Sequence, residues 1–363
     1  MRIVCLNCGR PYPDAGVPYR CPRCGGIFDD VEPLVWHDPD ASQPGIWRYW
    51  RTLLPAGERV SLGEDQTPLV DATLEKRPIY FKCEYANPTG SFKDRGTAAL
   101  VSFLIARGVT EAVEDSSGNA GASFAAYAAR AGIHARVFVP ESAAGPKRLQ
   151  IGMYGAELVP VPGARSGAGY AAQRAAEAGV VYASHAFLPH NLAGYATAAF
   201  EIVEQLRGGP GAVVVPAGQG GFILGMGRGF RALKDAGVIE KLPVLVGAQA
   251  AACAPLAAYH EIGVTGLGFV TEAATIAEGV RVRSPLRIDA VTRAVHESGG
   301  RFVAIDEGHI LPGRDSLARL GFYVEPTSAL VWEALRTSLA QLPDPVVVVL
   351  TGSGYKWNPN QER

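Results

Sequence analysis

Short apolar runs alternate along most of the chain with longer stretches rich in small and polar residues. Valine-rich runs at 135–140, 212–216, 243–249 and 345–350 have the length and composition of buried strands. Alanine-rich stretches, such as 167–179, lie between runs of this kind and have helical composition. Because strands and helices alternate, the pattern predicts parallel sheets with crossover helices, and therefore an α/β fold.

One turn, at residues 87–96, carries a lysine into the start of a predicted helix. Its sequence, Asn-Pro-Thr-Gly-Ser-Phe-Lys-Asp-Arg-Gly, joins strong turn signals to Ser91, which can cap the helix that follows. Lys93 then lies in the first helical turn, where the positive end of the helix dipole favours the free amine that imine chemistry needs. Taken alone, a solvated surface lysine is the more common explanation.

Two other turns precede predicted helices and have backbone N–H groups that can bind anions. Residues 116–123 follow a predicted strand and expose unpaired backbone N–H groups that can bind a carboxylate, although an ordinary capped helix explains them equally well. Residues 217–222, Ala-Gly-Gln-Gly-Gly-Phe, form a nest of N–H groups of phosphate size. The nest is not a dinucleotide fingerprint, because Ile223 replaces the third glycine, and it lacks the lysine of a P-loop.

The lysine turn closely resembles the lysine motif of threonine synthases, which belong to the fold-type II (tryptophan synthase β-like) enzymes that use pyridoxal phosphate. Segments 45–55 and 61–69 also resemble that family, and the motifs follow one another in the family's order as far as Thr351. The resemblance implies two α/β lobes with pyridoxal phosphate in the cleft between them. It also implies that Lys93 binds the cofactor as an imine.

The resemblance assigns roles to the remaining motifs. Asn119 is expected to face the 3'-oxygen of the cofactor, and Thr351, after the last buried strand, to meet its pyridine nitrogen. Segments 275–280 and 324–329 have counterparts near the cofactor ring, with no role assigned. The phosphate of the cofactor is expected on Gly218, Gln219, Gly220, Gly221 and Phe222. The carboxylate of the substrate is expected on Ser116, Ser117, Gly118 and Ala120.

The loop at 184–191 departs from the family. In threonine synthases the matching loop helps to hold the substrate's phosphate, usually with an asparagine–serine pair and an arginine. This chain has Ser184, His185 and Asn191 there and no arginine. Ser184 and His185 are the predicted substrate contacts, and His190 is a further possible donor, although a loop histidine is more often merely exposed.

The predicted reaction is that of a threonine synthase, a carbon–oxygen lyase that converts O-phospho-L-homoserine and water into L-threonine and phosphate. Lys93 is expected to act as the general base at Cα and to move protons at the later carbons. The missing arginine keeps open a β-elimination or β-replacement enzyme, such as a serine or threonine dehydratase or a phosphoserine-using synthase. A non-enzymatic binder that uses the N-terminal segment for recognition is a third alternative.

Four of the six cysteines lie near the N-terminus as two C-x-x-C pairs, Cys5 with Cys8 and Cys21 with Cys24. This spacing allows four thiolates to reach one tetrahedral zinc ion, and so short a segment has little core of its own. We therefore predict a zinc-ribbon-like segment with a structural zinc. Free thiols or a redox pair are the alternative.

Length and charge set the remaining expectations. The 363 residues suffice for two domains with sizeable cores, and a net charge of -1 does not indicate nucleic acid or an anionic membrane as partner. Without a signal peptide or a membrane-length apolar run, a cytoplasmic location is expected. The predicted partners are an amino-acid substrate and, as in many fold-type II enzymes, a second copy of the chain. The predicted domains are a ribbon (1–30), a large cofactor-binding domain (31–95 with 190–363) and a small domain (96–189).

Overall fold

Most of the hydrophobic strands form two separate sheets flanked by helices, in a computed structural model that describes residues 2–54, 57–141, 145–163 and 165–358. The larger sheet has six strands in the order β11-β10-β9-β12-β4-β3. All its neighbours are parallel except β3 and β4. Its strands are β3 (Leu69–Leu74), β4 (Arg77–Lys82), β9 (Ala212–Pro216), β10 (Val244–Ala250), β11 (Arg301–Ile305) and β12 (Val346–Val349).

The smaller sheet has four strands, all parallel, in the order β7-β6-β5-β8. Its central strands are buried, and the helices that connect them cover its two faces in the manner of crossover connections. The strands are β5 (Glu111–Glu114), β6 (His134–Pro140), β7 (Glu157–Val161) and β8 (Val181–Tyr182). The α/β class predicted from the alternating pattern is therefore confirmed.

The helices follow the strands in the alternating order that the sequence predicts. The α-helices are α1 (Trp50–Leu53), α2 (Lys93–Ala106), α3 (Asn119–Ala131), α4 (Pro146–Met153), α5 (Arg165–Glu177), α6 (His190–Leu206), α7 (Gly221–Asp235), α8 (Pro255–Ile262), α9 (Ile288–Glu297), α10 (Glu307–Arg319) and α11 (Pro326–Ser338). Short 3-10 turns include Gly45–Tyr49, Glu84–Ala86, Glu278–Val280 and Gly354–Lys356. Among the helices of the described residues, none is long and apolar enough to cross a membrane.

Two local predictions were wrong. Ser91 does not cap α2, since Phe92 occupies the N-cap position and the Ser91 hydroxyl is buried without a hydrogen-bond partner among the described residues. Ser91 instead pairs with Gly352 in an isolated β-bridge, a long-range contact that local turn signals do not reveal. The polar loop expected before residue 194 is also shorter than predicted, because α6 already begins at His190.

Helices α2 and α6 approach each other closely at small residues. A Cβ atom on Gly194 would collide with the carbonyl oxygen of Arg95, and one on Gly96 would collide with the ring of Tyr195. Glycine at these two positions lets the two backbones touch. The contact places Tyr195 of α6 beside the first turn of α2, where Lys93 lies.

The N-terminal segment forms a small unit that is held to the larger body by charge. Strands β1 (Ile3–Cys5) and β2 (Phe28–Asp30) pair in antiparallel fashion. Both carboxylate oxygens of Asp29 accept hydrogen bonds from Arg228 of α7, each at 3.0 Å. This bidentate pair fixes the orientation of the segment on α7.

Candidate active site

The turn that bears Lys93 is joined by backbone hydrogen bonds to the loop after β12. The N–H of Phe92 donates to the carbonyl of Thr351 at 3.0 Å, and the N–H of Ser353 donates to the carbonyl of Gly90 at 3.0 Å. Since β12 and β4 are parallel neighbours, their carboxyl ends lie at the same edge of the large sheet. Lys93 and Thr351, distant in sequence, are therefore brought together as predicted for residues of one site.

Lys93 is the first residue of α2, which agrees with the prediction that it lies in the first helical turn. Its Nζ atom lies 4.9 Å from the centre of the Phe92 ring and 6.0 Å from that of Tyr195. Within the same turn the buried carboxylate of Asp94 accepts hydrogen bonds from the N–H of Thr89 at 2.7 Å and from its hydroxyl at 2.6 Å. These bonds tie the first turn of α2 to the residues that precede it.

The glycine-rich nest opens α7, which begins at Gly221. Gly220 has a φ of +78°, and a Cβ there would lie 2.6 Å from the side chain of Val291. A Cβ on Gly218 would lie 2.8 Å from the carbonyl oxygen of Gly279. The nest thus requires glycine, and its backbone N–H groups at a helix start fit a phosphate group.

Phe222 and Gln219, the other two residues of the nest, contact neighbouring segments. The ring of Phe222 lies 4.4 Å, centre to centre, from that of Phe92, so the nest and the lysine turn are in contact. The side-chain oxygen of Gln219 accepts the N–H of Leu286 at 3.2 Å. This bond joins the Gln219 side chain to the segment before α9.

The loop from Ser116 to Ala120 leads into α3, which begins at Asn119. The Ser116 hydroxyl accepts the N–H of Gly118 at 3.1 Å and thereby shapes the turn. Asn119 donates to Oε1 of Glu325 at 2.7 Å, while its own Oδ1 is buried without a partner among the described residues. An unpartnered polar atom at this place fits a bound polar group such as the cofactor's ring oxygen.

Gly121, in the first turn of α3, has no room for a side chain. Alanine at this position would drive its Cβ into the carbonyl oxygen of Ser116, which is backbone and cannot move aside alone. We expect Gly121→Ala to lower the free energy of unfolding by about 3 kcal/mol, measured by urea denaturation. Gly152→Ala, on α4, is the matched control because its Cβ has room, and its effect should stay within about 1 kcal/mol. Equal effects of the two changes would contradict this interpretation.

A buried carboxylate at the end of β5 binds the histidine of the 184–191 loop. Oε1 of Glu114 lies 2.5 Å from Nδ1 of His185, and its Oε2 accepts the N–H of Ser116 at 2.5 Å. Burial opposes ionisation of Glu114, but the bonds from His185 and Ser116 outweigh it and hold the pKa of Glu114 below its usual range. The charge of Lys93 acts in the same direction, so Glu114 lies within electrostatic reach of the lysine.

Ser184 lies in the same loop but faces inward. Its hydroxyl is fully buried and accepts the N–H groups of Ala186 and Phe187 at 3.3 and 3.4 Å. Asn191 donates to the carbonyl of His185 at 2.6 Å. Ser184 and Asn191 therefore shape the loop, and His185 is the residue of the three whose side chain is in contact with Glu114.

One arginine outside the 184–191 loop supports it through the loop's backbone carbonyl groups. Arg287 is buried and donates to the carbonyls of Ala186 at 2.5 Å and Phe187 at 2.8 Å. It also donates to the carbonyl of Phe28 at 2.7 Å, so it joins the loop to the N-terminal segment. Its role is structural, and it does not replace the arginine that the family resemblance leads one to expect.

His190 lies away from the lysine turn. Its ring stacks on that of Phe103 at 3.5 Å, and burial lowers the pKa of His190 to about 3. A neutral, stacked imidazole is poorly suited to binding a phosphate. It lines a separate cavity of about 480 Å³ between the N-terminal segment and helices α2 and α6, together with Tyr12 and Trp47.

Several charged residues of the site were not predicted. Lys147, on α4, lies 2.6 Å from Oε2 of Glu325, the partner of Asn119. Lys356 is buried and donates to the carbonyl of Thr89 at 2.8 Å, and burial lowers the pKa of Lys356 to about 8. The one sequence signal for such residues is a charged side chain at the carboxyl end of a buried strand, as with Glu114.

The four N-terminal cysteines converge. The Sγ atoms of Cys5 and Cys24 lie 3.5 Å apart, those of Cys8 and Cys21 lie 3.7 Å apart, and all four lie within 4.8 Å of one another. Tetrahedral zinc with bonds of about 2.3 Å holds its sulfur ligands about 3.8 Å apart, so the cluster has the right size for the ion.

Comparison with known proteins agrees with this geometry. Residues 60–352 match the family described as "Pyridoxal-phosphate dependent enzyme". Threonine synthase of Methanocaldococcus jannaschii is 32% identical over 97% of this chain and 92% of its own length. Threonine synthase of Mycobacterium tuberculosis H37Rv is 35% identical over 90% of this chain and 91% of its own.

Among solved structures, a threonine deaminase from the organism abbreviated T.th. superposes with a TM-score of 0.69 at 26% identity, over 81% of this chain and 94% of that one. Maize serine racemase superposes equally well, with a TM-score of 0.69 over 82% of this chain and 90% of that one, but at 22% identity the likeness shows the fold alone. These findings confirm the two-lobed fold-type II architecture and pyridoxal phosphate as the cofactor. The chain belongs to the threonine synthase family of pyridoxal-phosphate dependent enzymes.

Proposed function

We propose that this chain converts O-phospho-L-homoserine and water into L-threonine and phosphate. The observation that carries the proposal is the convergence of Lys93, the Ser116–Ala120 loop and the glycine-rich nest at one cleft. Similarity to threonine synthases over nearly the whole chain supports the same reaction.

The residues around the cleft divide between cofactor and substrate. Lys93 would hold pyridoxal phosphate through its amine, the nest of Gly218–Phe222 would bind its phosphate, and Asn119 and Thr351 would lie at its ring. When bound, the cofactor supplies an electron sink that lets protons leave the carbons of the substrate. The N–H groups at the start of α3 bind the substrate carboxylate and so fix the orientation of its Cα.

Lys93 moves protons at carbon. Its amine would remove the proton from Cα of the substrate and exchange protons at the later carbons. The rings of Phe92 and Tyr195 lie 4.9 and 6.0 Å from Nζ, measured to the ring centres. Ser184 shapes the loop that presents His185 to the substrate.

The test is one assay of the purified protein with O-phospho-L-homoserine, following inorganic phosphate and L-threonine together. Equal amounts of the two products are expected. Absence of both, with the visible absorption of the cofactor intact, would contradict the proposal and leave the fold and cofactor standing.

A second candidate keeps the cofactor and changes the substrate. The 184–191 loop has no arginine, and its His185 side chain contacts the carboxylate of Glu114. A β-elimination or β-replacement enzyme, such as a serine or threonine dehydratase or a phosphoserine-using synthase, needs no site for homoserine phosphate. Ammonia and a keto acid formed from serine or threonine, without phosphate release from O-phospho-L-homoserine, would favour it.

We further propose that Cys5, Cys8, Cys21 and Cys24 bind one structural zinc ion. The expected result is one zinc per chain and a lower Tm after chelation, because the metal supplies the folding energy that so small a segment lacks. Zinc content by atomic emission should fall in Cys24→Ser. It should be unchanged in Cys253→Ser, a control that removes a buried thiol far along the chain. A zinc-free wild-type protein of unchanged Tm would contradict the proposal.

The proposed domain division is 1–30 for the ribbon, 31–95 with 190–363 for the large cofactor-binding domain, and 96–189 for the small domain. The six-stranded sheet draws its strands from the second of these parts and the four-stranded sheet from the third, which supports the division. We propose a homodimer as the assembly, and sedimentation equilibrium tests it directly.

A further inference from the structure

His185 and Glu114 form a dyad that the binding roles above do not explain. Glu114 ends β5, and Ser184 and His185 follow β8, the parallel neighbour of β5. The carboxyl ends of the two strands meet at one edge of the small sheet, which brings together side chains 71 residues apart. That edge lies near Lys93, whose charge acts on Glu114.

The carboxylate of Glu114 determines how the imidazole ring of His185 is oriented and which ring nitrogen can exchange a proton. Glu114 is 1% exposed, and the N–H of Ser116 together with His185 keeps it ionised. An ionised acceptor at Nδ1 fixes a proton there and orients the ring. Nε2, on the opposite side of the ring, is then the atom that can exchange a proton.

Other charged groups lie near this pair. Asp115, from the same strand end, has a carboxylate oxygen within 4.8 Å of a carboxylate oxygen of Glu114 and of a ring nitrogen of His185. The charge of Lys93 acts on Glu114 and helps to keep that carboxylate ionised. The His185 side chain is 19% exposed, so the ring is neither sealed in the core nor free in solvent.

The proposed reaction requires proton transfer to an oxygen of the substrate as well as proton transfers at carbon. When the Cγ–O bond of O-phospho-L-homoserine breaks, its electron pair stays on the phosphate oxygen. A dianionic ester would depart as the strongly basic trianion unless a proton reaches that oxygen. Lys93 is engaged with protons on carbon, which leaves this transfer to another group.

We propose that His185, oriented by Glu114, is the acid and base of the oxygen chemistry, an inference that rests on the proposed function. The imidazolium gives its Nε2 proton to the departing phosphate oxygen. The neutral ring then takes one proton from the water whose oxygen bonds to Cβ, and the rest of that water becomes the hydroxyl of the product. The two transfers restore the imidazolium, so His185 is a catalytic residue and Glu114 a positioning residue.

The first experiment separates catalysis from binding. His185→Gln should lower kcat by about 100-fold or more. Its KM should change by less than about threefold, since the interaction is made in the transition state. The visible absorption and the bound amount of cofactor should match the wild type. His134→Gln, an exposed histidine at the start of β6, is the matched control and should leave both constants unchanged.

The second experiment changes the leaving group. Sulfate departs without a proton, so single-turnover release of sulfate from O-sulfo-L-homoserine should differ little between His185→Gln and the wild type. Phosphate release from O-phospho-L-homoserine should differ by about 100-fold. Glu114→Gln, which retains an acceptor for the N–H of Ser116, should show the same phosphate-specific loss to a smaller degree and tests the dyad independently of His185→Gln.

The outcomes are distinguishable. A wild-type protein that releases no phosphate from O-phospho-L-homoserine overturns the proposed function and this inference with it. An active wild type with equal losses for sulfate and phosphate in His185→Gln, or with a raised KM and an unchanged kcat, overturns the inference alone.

Discussion

Replacing Lys93 with alanine is expected to remove threonine formation and the visible absorption of the covalently held cofactor together. The proposed function gives the amine of Lys93 two roles, binding the cofactor and moving protons at carbon. The two other lysines nearby are held elsewhere, Lys356 by the carbonyl of Thr89 and Lys147 by Glu325. Neither is placed to replace it, and turnover should fall by at least about 10³-fold.

The measurement is an absorption spectrum of the dialysed protein beside the phosphate and threonine assay. Lys234→Ala is a suitable control, since Lys234 is an exposed lysine in the last turn of α7, and it should retain both signals. A Lys93→Ala protein that kept the absorption band and the turnover would show that another residue is the cofactor lysine.

The second large effect is expected at Arg95, two residues further along the same helix. Arg95 is fully buried and donates to both carboxylate oxygens of Glu84 at 2.7 and 2.8 Å. It also donates to Glu201 of α6 at 2.5 Å, and Glu201 in turn binds Lys82 at 2.7 Å. The arginine thereby joins α2, α6 and β4 close to Lys93.

The buried network around Arg95 joins three cations to four acidic side chains. The cations are Arg48, Lys82 and Arg95, and the acids are Asp65, Glu84, Glu201 and Glu204. Burial raises the pKa of Asp65 to about 8, and the neighbouring Glu201 adds to the effect, while Arg95 and Arg48 act in the opposite direction.

Arg95→Met should lower the free energy of unfolding by about 3–5 kcal/mol, because it leaves Glu84 and Glu201 charged and underpaired in the protein interior. Urea denaturation measures the loss. Arg231→Met is the matched control: Arg231 pairs with Glu297 at 2.8 Å on the surface, where the loss should stay below about 1 kcal/mol. Equal losses at the two positions would show that the buried network does not hold the helices together.

Features that depend on neighbouring residues could be read from the sequence. Turn chemistry, the valine-rich runs and the glycine-rich nest are local, and they correctly placed Lys93 in the first turn of a helix and Gly218–Phe222 at the start of another. The cysteine spacing likewise indicated a cluster, since four thiols in so short a segment have few other arrangements. Resemblance to a known family supplied the cofactor, which no periodicity reveals.

Only the tertiary structure decided which distant side chains meet. The residues around Ser91 predict that it caps a helix. In the structure it pairs with Gly352 instead, and this pairing depends on the parallel contact of β4 with β12. Glu114 and His185 become a dyad because β5 and β8 are neighbours. Strand order follows from how whole elements cover each other's apolar faces, which is a property of the packed chain. The local sequence determines where helices and strands form. Their packing creates the charged contacts on which the proposed reaction depends.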